Sequence, residues 1–506
     1  MFSKKQKNAA ICIFAIILFI FSANALATPS DIKTDNVFAS IDKYVKSEMK
    51  ASNIPGLALG IVKGSEVVYL KGFGKAGPDG RSVTPDTPFV IASVSKSITA
   101  LSVMQLAEAG SIKLDQSVRD YISWFQAADA KVSGKITVRQ LLNQTSGFST
   151  YAGNLLNAAS VGQTLDQMVR NLNSARLVSP PGEAFHYSNA NYVVLADIVE
   201  HVSGQTYSEY VQNHIFQPLQ MQGSSVDSND RQDMAAGYQS WFGIPAPSGV
   251  KNRVSCLNNV STAEDMTHYL TALMNGGTYD HQTVCSSASI EVMQKPAAKM
   301  NESFYYGMGF EMNAADQPTL IKHPGDTPGF NANIAILPKD GWGIILLENV
   351  NWLAMQGETN TLISGIENIL VGREPSSQFT SPANMSIFFD AIYLISIVLL
   401  IISFARIGRW KMRISNDEKK RLKRRFIPIV FIDYMIPAGM LVNIPLAFAA
   451  TWQIGFLHAP DFCLMMILIA SLLFILGIIR TVILINTIHN KGFKQIKPKQ
   501  TQVSES

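Results

Sequence analysis

Three apolar segments that follow Pro382, at residues 386–405, 427–449 and 462–486, constrain this 506-residue chain more than any other feature. Each comes close to the ~20 residues a helix needs to cross a bilayer, and hydrocarbon admits only segments whose backbone polar groups are satisfied internally. The loop after the first segment carries ten Lys and Arg residues between Arg406 and Arg425, whereas residues 451–461 carry none, and the tail holds Lys491, Lys494, Lys497 and Lys499. The positive-inside rule therefore places the loop and tail in the cytoplasm and the residues before 386 outside. The N-terminus demands the same side. Lys4, Lys5 and Lys7, an apolar run from Ala9 to Phe21 and Ala25-Leu26-Ala27 read as a secretory signal cleaved after Ala27. The expected parts are a signal peptide over 1–27, an extracytoplasmic domain over 28–382, and a membrane region over 383–506 that ends in a cytoplasmic tail. The net charge of +4 comes largely from the basic loop and tail, so the bilayer is an expected partner and nucleic acid is not.

Two charges fall deep within the apolar segments. Asp433 and Arg480 each lie about six residues from the cytoplasmic end of a span, at similar depth. An unpaired charge there is costly, so an ion pair between the second and third spans is expected; snorkelling of Arg480 to the headgroups is the simpler alternative. Cys12 leaves with the signal and Cys463 lies in the third span. Cys256 and Cys285 stand outside, where they can pair or remain free, and no Cys/His metal site is expected.

Residues 28–50 have helical spacing, with Phe38, Ile41, Tyr44, Val45 and Met49 on one face. Ile54–Val62 and Val67–Gly72 read as paired strands, and 98–230 is mostly helical, including a buried helix over Tyr192–Val202. Tyr306–Val350 is strand-like, with Pro338-Lys339-Asp340-Gly341 turning one strand into the next. Sheet at both ends and helices between predict an α/β sandwich closed by both termini, with a helical subdomain inserted and the site in the cleft between them.

Phe89-Val90-Ile91-Ala92-Ser93-Val94-Ser95-Lys96-Ser97 runs from an apolar strand into a buried helix that ends at Gly110. Ser93 stands at the helix start, where free N–H groups favour developing negative charge, and Lys96 lies one turn on, within reach of its hydroxyl. An activated serine needs such a neighbouring proton acceptor, and Lys96 qualifies only if burial or a second cation lowers its pKa. Ser-x-x-Lys also occurs at Ser30/Lys33, Ser47/Lys50 and Ser248/Lys251, so context and not the pattern singles out Ser93.

Ser93-Val94-Ser95-Lys96, Tyr187-Ser188-Asn189 and His323-Pro324-Gly325, in that order, resemble the three motifs of the serine β-lactamase and penicillin-binding protein superfamily. The branch is that of class C β-lactamases, DD-peptidases, D-aminopeptidases and esterases. Leu142–Phe148, Pro181-Gly182-Glu183, Ser261–Met266, Tyr306–Gly309 and Thr327–Phe330 extend the likeness over roughly residues 35–370. The resemblance implies a β-lactamase/transpeptidase-like sandwich followed by three transmembrane helices, in a bacterial plasma membrane. It implies that Ser93 forms an acyl-enzyme, that Lys96 and Tyr187 share the base and proton shuttle, and that Asn189, His323, Gly325 and Asp326 bind substrate. The N–H groups of Ser93 and Asp326 would form the oxyanion hole, and no cofactor or metal is implied. Asn189 could alternatively cap a helix. His323 stands where many relatives have lysine, which weakens a fixed cation for a substrate carboxylate and favours peptide or ester substrates. Pro324 removes a backbone donor, as suits a strand edge facing a cleft.

A secreted domain of this kind with three spans also resembles the membrane prodrug peptidases that remove acyl-D-asparagine from colibactin- and zwittermicin-type products. Val90 stands where that group has an acidic residue, so the topology matches but the asparagine-reading contact does not. The leading expectation is a peptidase on D-amino-acid-containing peptides, whether from the cell wall or a prodrug. The alternatives are a β-lactamase or esterase, and a penicillin-binding sensor that turns over poorly.

Overall fold

The computed structural model describes residues 37–159, 162–226, 231, 233–248, 255–314, 317–351, 358–375, 382–447 and 451–494; the expected signal peptide lies outside these. In chain order, the elements that position the site begin with helix α1 (Val37–Ser52), strands β1 (Gly56–Lys63) and β2 (Glu66–Gly74), and helices α2 (Ser95–Glu108) and α3 (Asn189–Ser203). Strands β3 (Tyr238–Trp241) and β4 (Ile244–Pro247) and helix α4 (Ala263–Met274) follow. The remaining strands are β5 (Ala298–Lys299), β6 (Tyr305–Tyr306), β7 (Glu311–Met312), β8 (Ile321–Thr327), β9 (Phe330–Leu337) and β10 (Trp342–Glu348), closed by helix α5 (Glu358–Leu370).

Eight strands form one antiparallel sheet in the order β2-β1-β10-β9-β8-β7-β6-β5. β1 pairs with β10 from Leu57↔Glu348 to Lys63↔Trp342, so strands from the two ends of the domain lie side by side, one strand in from the β2 edge. Alternation along β1 sorts its residues between two cores. Leu57, Leu59 and Ile61 join Ile344 and Leu346 under α1 and α5, whereas Ala58 and Val62 join Ile345 and Leu347 in a core shared with α2, α3 and α4. The helical insertion is thus packed on the opposite sheet face from α1 and α5.

β8 departs from expectation. It is not an edge strand, because β9 flanks it along its whole length and β7 pairs with it at Ile321 and Lys322. Beyond Lys322 the β7 side opens, and Pro324 lies in that unpaired stretch, where a missing N–H costs nothing. The edge facing the cleft is therefore local.

The C-terminal part contains helices α6 (Pro382–Ala405), α7 (Ile436–Ala447), α8 (Trp452–His458) and α9 (Pro460–Lys494). Three helical stretches, Met385–Ala405, Lys420–Asn443 and Pro460–Lys491, are long and apolar enough to cross a membrane. The second is irregular, with a π-helical segment over Ile429–Met435 leading into α7. The third runs well past the expected residue 486, because the basic loop folds against its end. Helices Ile407–Ser415 and Lys419–Arg424 bury Ile414 and Leu422 beside Leu484, and Arg425 pairs with Asp417 at 2.9 Å. Arg480 and Asp433 do meet: Arg480 Nη1 lies 2.9 Å from both carboxylate oxygens.

Candidate active site

Ser93 stands on a 3-10 turn, Ala92–Val94, between the two-residue strand Phe89–Val90 and α2. Ala92 holds φ +46°, in the left-handed region that costs a residue with a Cβ roughly 1–2 kcal/mol. That strained turn leaves Ser93 partly exposed between buried Ala92 and Val94. β8 runs directly against it. A Cβ on Gly325 would lie 2.3 Å from the Ile91 carbonyl oxygen and 3.2 Å from the Ser93 nitrogen, so only glycine permits the approach. The Gly325–Asp326 peptide is thereby brought beside the Ser93 amide.

Lys96, one turn into the helix, is fully buried, and its Nζ lies 2.8 Å from Ser93 Oγ. Burial pushes its amine down to about 7, the direction an acceptor of the serine proton requires. Desolvation, rather than a neighbouring cation, is the cause of the lowering. The Tyr187 hydroxyl donates to the same Ser93 Oγ from the other side at 2.9 Å, and burial raises its pKa above the usual phenol range. Tyr187 is therefore protonated at neutral pH and donates a hydrogen bond to Ser93.

The surroundings of Lys96 are aromatic. Its Nζ lies 5.0 Å from the Tyr187 ring and 5.8 Å from that of Tyr192. Tyr306 packs edge-on to Tyr187 and to His323. Tyr192 and Tyr306 carry no motif signature of their own; Tyr306 merely opens the Tyr306–Gly309 stretch, and Tyr192 looks like any core residue of its helix.

His323 is buried behind Tyr187 and does not reach into open solvent. Its Nδ1 lies 2.7 Å from the Pro324 carbonyl oxygen, which can only accept, so Nδ1 carries the proton and Nε2 accepts from the Tyr306 hydroxyl at 3.2 Å. Burial, with Lys96 nearby, pushes its pKa down to about 3, so the third motif begins with a neutral group. Asp326 is exposed near the end of β8, and the surrounding protein raises its carboxyl to about 6 by partial desolvation. Glu311, the other carboxylate near Tyr187, is also raised by burial.

Asn189 is the first residue of α3, and the capping position belongs to Ser188. The capping alternative therefore falls away. Asn189 Oδ1 is buried with no hydrogen-bond partner among the described residues. The Tyr187–Asn189 segment is held by Gln144, at φ +61°. Its backbone oxygen accepts from His186 N at 2.9 Å, and its Oε1 accepts from Ser188 N at 2.9 Å and from Asn191 Nδ2.

Away from the cleft, Asp166, Asp197 and His201 place potential ligand atoms within 4.8 Å of one another. Arg170 Nε sits 2.7 Å from Asp166, so one of the three is already ion-paired within the protein. Cys256 and Cys285 are buried free thiols, both pushed up to about 12 by burial.

A serine on a strained turn, a buried amine at its hydroxyl, a tyrosine opposite and a glycine-bearing strand alongside define a serine hydrolase of the β-lactamase and penicillin-binding protein type. Residues 41–362 match the Beta-lactamase family, and the chain belongs to it. It is similar to the Protein flp of Staphylococcus aureus, 26% identical over 83% of this chain and 86% of that protein. It also resembles the putative penicillin-binding protein PbpX of Bacillus subtilis, 28% identical over 66% of this chain and 81% of that one. The octameric penicillin-binding protein homologue from Pyrococcus abyssi superposes with a TM-score of 0.57 at 26% identity, covering 67% of this chain and 78% of that one.

Proposed function

We propose that the chain is a membrane-anchored, extracytoplasmic peptidase acting on D-amino-acid-containing peptides through an acyl-enzyme on Ser93. The observation that carries the mechanism is the fully buried Lys96 amine, lowered to about 7 and 2.8 Å from Ser93 Oγ. Neutral Lys96 takes the Ser93 proton as Oγ attacks the amide carbon. The N–H groups of Ser93 and Asp326 receive the oxyanion, worth ~3 kcal/mol per donor. Tyr187 gives its proton to the leaving amine and recovers one through Lys96; water then hydrolyses the ester by the reverse relay. Asn189 Oδ1, without a partner among the described residues, is suited to accept from a substrate amide.

The neutral His323 and the carboxylates of Asp326 and Glu311 offer no fixed cation at the third motif, which favours a substrate without a carboxylate anchor over a β-lactam. Membrane anchoring rests on the three apolar helices, and the outside placement of the domain on the positive charge of the loop between the first two. The test uses the full chain in detergent with N-acyl-D-Ala-D-Ala, its C-terminal amide, and benzylpenicillin. Ser93-dependent cleavage of both peptides, with the amide at least as good, is expected. Tyr187→Phe should fold and turn over slowly. Undiminished turnover in Ser93→Ala would sink the acyl-enzyme, and faster turnover of penicillin than of either peptide would make the protein a β-lactamase.

A further inference from the structure

The β3–β4 hairpin is built against the rules for its turn. Trp241 pairs with Ile244, leaving Phe242 at φ +53° and Gly243 at φ +76° as a two-residue loop. Positive φ at both positions calls for Asn, Asp or Gly, and a phenylalanine in the first is conformationally disfavoured. The three large residues of the tip are also left in the open: Trp241 is 40% exposed, Phe242 42% and Ile244 69%. Neither turn geometry nor core packing accounts for them.

Their neighbours do. The Phe242 N–H donates to Asp461 Oδ2 at 2.9 Å, in the first turn of α9. Gly243 abuts Ser386 near the start of α6, where an added Cβ would lie 3.2 Å from the serine Cβ. The Gln239 side chain donates to the Leu457 carbonyl of α8, whose Trp452 and Phe456 rings stand 6.3 Å apart. Tip and α8 thus lie together where the first and third apolar helices begin, in a part of the chain, 451–461, without Lys or Arg. Amphipathic aromatic rings at the end of apolar helices are what a headgroup–acyl boundary accommodates.

We propose that the Trp241–Ile244 tip inserts into the lipid interface of the leaflet facing the hydrolase domain, forming with α8 an aromatic collar that seats the domain on the bilayer. This rests on the reading of the three apolar helices as membrane spans. The collar is tied to the cleft wall, since Tyr238 N donates to Gly329 O at 3.3 Å and Gly329 lies just beyond Asp326 on the β8–β9 turn. The seat therefore holds that end of the cleft toward the membrane.

The test places full-length protein in phosphatidylethanolamine/phosphatidylglycerol vesicles whose acyl chains carry bromine near the headgroup, and compares tryptophan quenching in wild type and Trp241→Phe. Co-flotation reports on the spans and quenching on the tip, so the two can fail separately. The proposal expects floating protein in which Trp241→Phe removes a component quenched by bromolipid and shielded from aqueous iodide. Phe242→Ser/Ile244→Ser should shift that Trp241 component from bromolipid to iodide quenching. Floating protein whose bromolipid quenching is unchanged by Trp241→Phe overturns the seat while leaving the spans intact, and a protein partner covering the tip would give that same result. Protein that fails to float overturns both.

Discussion

At the scale of single residues, the proposed base Lys96 links rate to stability through its burial. Its amine is about 7 in the folded protein against 10.5 in a free side chain. Between those values the unfolded chain binds more protons than the folded one, so stability rises as pH climbs from about 7 toward 10.5. Below pH 7 the buried ammonium costs on the order of 5 kcal/mol, at about 1.4 kcal/mol per pKa unit over the fall from 10.5 to about 7. Lys96→Met should therefore raise the thermal midpoint at pH 6, flatten its rise toward pH 9, and abolish turnover. In wild type, turnover should increase with pH through about 7 as Lys96 becomes the acceptor. A midpoint that falls in Lys96→Met at pH 6 would show that the amine is not a burden to the fold. The Ser93/Lys96 pair could be seen in the sequence because three residues on a helical turn is a local distance. Tyr192 and Tyr306 could not, because what brings the Tyr192 ring to Lys96 and the Tyr306 ring to Tyr187 and His323 is packing between elements far apart in the chain.

At the scale of elements, the loop Leu142–Phe148 shows how a stretch that bears no chemistry positions one that does. Gln144 accepts from His186 N, Ser188 N and Asn191 Nδ2, and so fixes the segment carrying Tyr187 and Asn189. Gln144→Ala leaves two buried donors without an acceptor, a loss of about 1–3 kcal/mol each. The expected result is a folded protein of lower midpoint whose kcat falls and whose KM rises together, since Tyr187 and Asn189 lose their placement on the same segment. Equal kcat in the variant would mean that Tyr187 is held by its ring contacts alone. β8 carries the corresponding lesson for sequence reasoning. Pro324 signalled an unpaired edge, but only the shortness of β7 decides where that edge begins, and strand length at a sheet margin depends on partners distant in sequence.

At the scale of the whole molecule, the hydrolase domain and the apolar helices meet through the β3–β4 hairpin and α8, and the helices are joined by the Asp433–Arg480 pair. Gly477 lets the second span approach the third there, since a Cβ on it would lie 2.8 Å from that of Asp433. Removing one partner strands a charge. Asp433→Asn or Arg480→Gln alone should each cost about 3–5 kcal/mol, whereas Asp433→Leu with Arg480→Met should recover most of the loss. Midpoints of the detergent-solubilised full chain would show this, and additive losses in the double variant would mean that the two charges act independently. The sequence by itself determined the apolar segments, their charge asymmetry, the order of sheet and helices and the three motifs, because each is written in local periodicity or short spacing. Only the tertiary structure decided that Lys96 is buried enough to lose its proton, that His323 is a neutral group behind Tyr187, and that the hairpin tip meets the apolar helices. Desolvation and contact depend on which distant segments close around a side chain, and no local pattern encodes that.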